Sequence, residues 1–268
     1  MKGILKIRAR PRLNSPNMVA AWPGIGNVSM IAANYLLKNL DFKELGEIEA
    51  SYFFDPIGVI VRDSVVEEPQ FPQSKFYYWK NKRPASDLIL FIGDNQPVSK
   101  GYELANGVLD VGERFMVNRI YTSAAAMTRM HHTELPRVWG VATTPSVVTD
   151  LKRYNLVEKG NFQIAGLNGL LLGAARERGV EAACLLGEVP SYASRIQNPM
   201  AALAIVKALT GILNISIDTA ELAQLAEETT ERMREVAAEA MGQYIDQFTM
   251  PIWEHDRETG EYEEDEED

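Results

Sequence analysis

The chain has 268 residues, 46% hydrophobic and 24% charged, enough apolar material for one large buried core and too much for a disordered chain. Its formal charge of −10 is uneven: residues 254–268 hold ten carboxylates against Arg257, which leaves the body close to neutral and excludes the basic stripe of a nucleic-acid binder. The one cysteine, Cys184, excludes an internal disulfide and a cysteine-built metal centre, and no apolar run reaches the roughly 18 residues that a membrane span needs.

Residues 1–13 interrupt their apolar character with Lys6, Arg8 and Arg10 and lack the apolar centre of a secretory signal. A soluble protein of the reducing cytoplasm, with neither nucleic acid nor membrane as partner, is the expectation. Residues 18–22 form a short apolar run stopped by Pro23 and Gly24. Apolar residues then recur at Val28, Ile31, Tyr35 and Leu36, which reads as strand, tight turn and helix with Asn27 as the N-cap. Residues 45–80 lack a helical period. Their β-branched and aromatic runs at 48–54, 59–66 and 76–79, divided by Pro56, Pro69 and Pro72, predict an antiparallel meander inserted after the first strand–helix unit. Phe71, Phe76, Tyr77, Tyr78 and Trp79 within it are read as core, with a partner-facing patch as the alternative.

Residues 88–92 are another buried-strand run, leading through Gly93 to Pro97 into a helix that carries Tyr102, Ala105, Val108 and Leu109. Strand-like runs at 119–122, 137–142, 162–165 and 181–186 continue the series, with helices over 146–154 and 166–178 between them. Short apolar strands alternating with helical patterns predict an α/β fold: a mainly parallel central sheet with helices on both faces. Pro199 then opens an apolar helix to Leu213, and Asp218 or Thr219 caps a longer one. On it Leu222, Leu225, Met233, Val236, Ala240, Tyr244 and Phe248 recur at spacings near three and four, which predicts a C-terminal helical hairpin docked on the core or meeting a second copy. The domains so read are a core over 1–215, a long helix over 216–253 and a disordered acidic tail over 254–268. The tail is a solubility device first and an arm for a basic partner second.

Two glycine turns stand where strands give way to helices. Gly24, Gly26 and Asn27 lie in WPGIGNVS, and Gly166, Asn168 and Gly169 lie in GLNGLLLG. Each reads first as a structural turn and second as an anion site at a helix start. Neither is a P-loop, for no Gly-Lys-Ser/Thr follows. With Asp94, Gln96, Thr122 and Glu188 they all fall at strand carboxyl ends, where open parallel sheets bind ligands. Asp94 and Glu188 are the only acidic pair placed for acid–base work. His131 and His132 are adjacent and expected to point apart, and no residue elsewhere completes a metal-ligand spacing.

The segments PGIGNV, FFDP, FYYWKN, LILFIGDNQP, FQIAGLNGLLLGAARERG and CLLGEVPSY resemble, in order and spacing over residues 18–213, the proteasome assembly chaperone family in its second-subunit branch. The resemblance implies a nucleoside-phosphorylase-like fold and kinship with proteins that pair with one another and escort proteasome α-subunits into rings. It brings no catalytic set; its glycine turns fall at Gly24, Gly26, Gly166 and Gly169, and its strand-end Glu-x-Pro at Glu188 and Pro190. Assembly factors that dock on α-rings commonly end in a hydrophobic–Tyr–any-residue tail, whereas this sequence ends Glu266-Glu267-Asp268, so docking by that mode is not expected. The reading is a non-catalytic, homo-oligomeric protein-binding factor, with proteasome α-subunits as candidate partners and neither cofactor nor metal. The alternative is an enzyme or small-molecule binder that takes a phosphate- or nucleoside-like ligand in the strand-end cleft.

Overall fold

The computed structural model describes residues 4–56, 58–83, 85–156 and 160–249, with main chain only at 236 and 240–249. The acidic tail and the apolar positions Val236, Ala240, Tyr244 and Phe248 therefore lie outside the described residues or side chains. An eight-stranded sheet is built from β1 (Leu5–Ile7), β2 (Asn17–Ala21), β3 (Lys43–Ile48), β6 (Ser74–Trp79), β7 (Leu88–Gly93), β8 (Ile120–Thr128), β9 (Val138–Ala142) and β10 (Ala182–Pro190). Its order is β1-β3-β6-β7-β2-β8-β10-β9. The middle strands β7, β2, β8 and β10 run parallel. Antiparallel strands widen the sheet on both sides.

Alternation along the central strands assigns each side chain to a layer. Val19 and Ala21 with Leu88, Leu90 and Ile92 face α1 (Val28–Asn39) and α5 (Pro199–Leu213). Met18 and Ala20 with Ile89 and Phe91 face α2 (Gly101–Arg114) and α4 (Leu167–Glu177). Every residue of β10 is buried, as a strand covered on both faces requires. Burial pushes the Cys184 thiol on that strand up to about 12.

The C-terminal hairpin forms as expected, with α6 (Ala220–Thr249) packed on α5 through Leu222 and Ala226. Asn198 caps α5 by accepting from the Ala201 amide at 2.9 Å with Pro199 following, and the Asp218 carboxylate accepts from the Ala220 amide at 2.9 Å. At ~1.5 Å per residue α6 runs about 45 Å against about 22 Å for α5.

Four local readings change. Asn27 stands at the start of α1 in a left-handed conformation with φ 51° and gives no side-chain cap, since capping needs extended dihedrals. Residues 162–165 form no ladder, and short α3 (Pro145–Lys152) precedes them. β9 runs antiparallel to β10 at the sheet edge, because an apolar run carries no sign of its direction. The meander over 45–80 divides: β3 and β6 join the main sheet, while β4 (Val61–Arg62) and β5 (Val65–Val66) pair only with each other.

Candidate functional site

The strand-end residues singled out by sequence fall into one cluster and two outliers. Asn168, 3% exposed at the start of α4, grips the main chain of Trp22: its Oδ1 accepts from the Trp22 amide and its Nδ2 donates to the Trp22 carbonyl, both at 3.2 Å. The Thr122 hydroxyl donates to the Asn168 carbonyl at 2.8 Å. Gln96 donates to the Pro23 carbonyl at 2.6 Å and accepts from the Leu167 amide at 2.8 Å. Gly26, at φ 61°, receives the Asn198 amide on its carbonyl and donates its own amide to Ser194. The Asn27 amide donates to the Gly24 carbonyl at 2.9 Å.

Backbone closeness explains the second glycine motif. A Cβ on Gly169 would stand 2.2 Å from the Ile164 carbonyl oxygen, and one on Gly166 would stand 2.8 Å from Gln96 Oε1. Two amide side chains and two glycines thereby stitch the turns after β2 and β7 to the start of α4. Their donors and acceptors face one another.

Asp94 and Glu188 are the outliers. Asp94 accepts from the Gln73 amide at 3.1 Å at the end of β7. Glu188, 4% exposed on β10, accepts from the Arg137 amide at 2.9 Å and from Arg137 Nη2 at 2.8 Å. Burial alone would raise its carboxyl, but Arg137 outweighs that and holds it below the ordinary value. Strands β2 and β8 lie between the two carboxylates, a gap of three strand spacings or about 14 Å. They do not form one acid–base pair.

His131 and His132 do not point apart: the loop after β8 stacks their rings with centroids 4.0 Å apart. His132 Nδ1 lies 2.8 Å from the Tyr192 hydroxyl, and both rings border a hollow against Arg234 and Glu231 of α6. Burial, then the neighbouring His131 and Arg234, push the His132 imidazole below its ordinary value. Among the described residues no three His, Cys, Asp or Glu side chains come together as metal ligands.

What sequence reasoning missed is apolar. Ile25 after β2, Val98 after β7, Met127 and Leu135 around the end of β8, Leu170 opening α4 and Tyr192 after β10 are all exposed at one end of the sheet, the carboxyl end of its parallel strands. Val98 is fully exposed at 109% and Leu135 reaches 82%. The β4–β5 hairpin leaves the same end, since Ser74 at the start of β6 pairs with Gly93 at the end of β7. Asp63 and Ser64 turn it with φ of 51° and 64°, the pair of positive values that a two-residue turn needs to match strand twist. Val59, Ile60, Val61, Val65 and Val66 are all exposed on it. Of the five aromatic residues read in the meander, Phe76 is core, Tyr77, Tyr78 and Trp79 are half-buried, and Phe71 is exposed. A signal for the arm was present in the run 59–66: β-branched residues bracketed by prolines and carboxylates.

Three layers with a parallel centre, a polar knot beneath the strand ends and an apolar rim around them define an α/β protein with an exposed apolar end. Residues 18–237 match the PAC2 family, and the chain belongs to it. Pyrococcus furiosus PbaB, described as an archaeal proteasome activator, is 31% identical over 87% of this chain and 98% of its own, with a TM-score of 0.74. P. furiosus PbaA, an archaeal homolog of proteasome-assembly chaperone, shares the fold at 22% identity and a TM-score of 0.65, over 84% of this chain and 93% of its own. The uncharacterized protein MJ0106 of Methanocaldococcus jannaschii is 22% identical over 86% of this chain and 89% of its own. The resemblance drawn from the sequence motifs therefore holds.

Proposed function

We propose that this chain is a non-catalytic, homo-oligomeric protein-binding factor of the cytoplasm that escorts or docks on a client protein through the rim at the strand carboxyl ends. The observation that carries the reading is the inversion at that end: polar side chains are turned inward and bonded to main chain, while Ile25, Val98, Met127 and Leu135 face outward. Exposed apolar rims around polar scaffolds are what partner surfaces require. The kinship with a proteasome activator supports proteasome α-subunits as the client class.

The test uses purified proteasome α-subunits from the same organism, mixed with the full chain and followed by co-elution. The wild type co-elutes with them, and the double variant Val98→Asp, Leu135→Asp elutes alone. Absence of any wild-type complex would remove the α-subunit as client. Unchanged binding by the double variant would remove the rim.

A further inference from the structure

The β4–β5 arm is acidic as well as apolar, with Asp63, Glu67 and Glu68 against Arg62, which pairs with Glu67 at 3.2 Å. A two-stranded hairpin standing alone is marginal in water, so its valines call for a cover. The opposite end of the same ladder holds hollows of the opposite charge. β6 begins at the arm with Ser74 and ends at Trp79, and around Trp79 lie two adjoining hollows of about 350 and 330 Å³ that share Asp41, Trp79 and Lys82. Lys43, Lys80, Lys82 and Arg83 border them with Asp41 as the only carboxylate among the described residues, while Tyr78, Leu40 and Ile215 supply apolar walls. The edge is built rather than loose: buried Asp87 accepts from the Asn81 amide at 2.9 Å and the Asn14 amide at 2.6 Å, fixing the loop that carries the cations. No ion pair occupies those four cations among the described residues.

We infer that the arm of one copy docks in the Trp79 groove of the next, head to tail. This rests on the self-association in the proposed function and supplies its interface. The occupant follows from charge and geometry. The arm carries a net −2 over residues 58–68, and the groove's five charged borders sum to +3. Arm-to-arm pairing across a two-fold axis would instead bring like carboxylates together. The arm does not lie against its own groove: the two stand at opposite ends of β6, about 17 Å apart along that strand. A contact between two different patches passes from copy to copy and closes into a ring when its rotation allows.

The experiment is a complementation in sedimentation velocity on the full chain at low salt. The arm variant Val61→Asp, Val66→Asp and the groove variant Lys80→Glu, Lys82→Glu are each monomeric, and raised salt dissociates the wild type. An equimolar mixture of the two variants gives a heterodimer and nothing larger, since only one intact arm and one intact groove remain per pair. Circular dichroism and melting temperatures matching the wild type separate dissociation from misfolding, these side chains being at the surface. A monomeric wild type, a groove variant that assembles normally, or a mixture that stays monomeric overturns the inference. None of these outcomes touches α-subunit binding by the Val98 and Leu135 rim, which is measured separately.

Discussion

Beneath the carboxyl ends of the parallel strands, Asn168, Gln96 and Thr122 turn their polar groups inward and are bonded. At the same end of the sheet, on the β4–β5 arm, Val61, Val65 and Val66 turn outward into water. Composition alone suggests the opposite assignment, with amides exposed and valines in the core. The difference teaches where each region's free energy resides. The knot joins segments distant in sequence, Trp22 to Asn168 and Gln96 to Leu167, so its bonds serve the fold. The arm's ladder is local to one hairpin, so its valines stay exposed in the free chain.

Breaking the knot has the largest effect. Asn168→Ala leaves the buried Trp22 amide and carbonyl without their side-chain partner, which costs about 3 kcal/mol. For a chain of this size that lowers Tm by roughly 6–12 °C. Thermal unfolding with α-subunit binding measured in parallel checks it: the knot is structural when stability falls and the surviving folded fraction still binds.

Gly169→Ala comes next. Its methyl would lie 2.2 Å from the Ile164 carbonyl oxygen, a main-chain atom that must move. The overpacking costs about 1–3 kcal/mol, read as a shift in the denaturation midpoint without a change in slope. Gly173→Ala, where a Cβ meets nothing within 4 Å in the same helix, is the control and stabilises α4 slightly.

Glu188 gives a smaller effect that depends on pH. Its folded carboxyl lies below the ordinary value, so the stability it contributes is present above the unfolded pKa, near ~4.3, and is lost as pH falls through the folded one. Glu188→Gln therefore lowers stability by about 1–2 kcal/mol at neutral pH. The gap from wild type closes as the medium is acidified below the ordinary carboxyl range. A gap that persists at low pH would assign the loss to packing rather than to the Arg137 pair.

Much of the fold was legible because burial writes directly into composition. The runs at 18–22, 88–92 and, after Glu181, 182–186 have no solvent face, and they fall in the central strands β2, β7 and β10. Direction was not legible: residues 137–142 read like their neighbours yet pair antiparallel, and residues 162–165 join no ladder, with Ile164 lying against Gly169 instead. The strand ends were legible as a place where Gln96, Thr122, Gly166 and Asn168 converge. Whether an amide bonds a ligand or the main chain of Trp22 depends on atoms 146 residues away, which no local pattern contains. The arm was read as part of a sheet because valine has the same β-propensity in a core strand and in a projecting one.

The smallest effect on stability is the most informative about function. Val98→Asp alters a side chain that touches almost nothing in the free protein, since it is fully exposed beyond β7. Such a surface change alters folding stability by less than about 0.5 kcal/mol. In a complex the same carboxylate would enter an apolar contact without a partner, where desolvation opposes it and binding weakens by at least tenfold, about 1.4 kcal/mol. Asn168→Ala and Val98→Asp should therefore move in opposite corners of a plot of stability against client affinity. Isothermal titration of both variants with the same α-subunit preparation draws that plot. If Val98→Asp binds as the wild type does, Val98 lies outside the contact, and the rim narrows to Ile25, Met127 and Leu135.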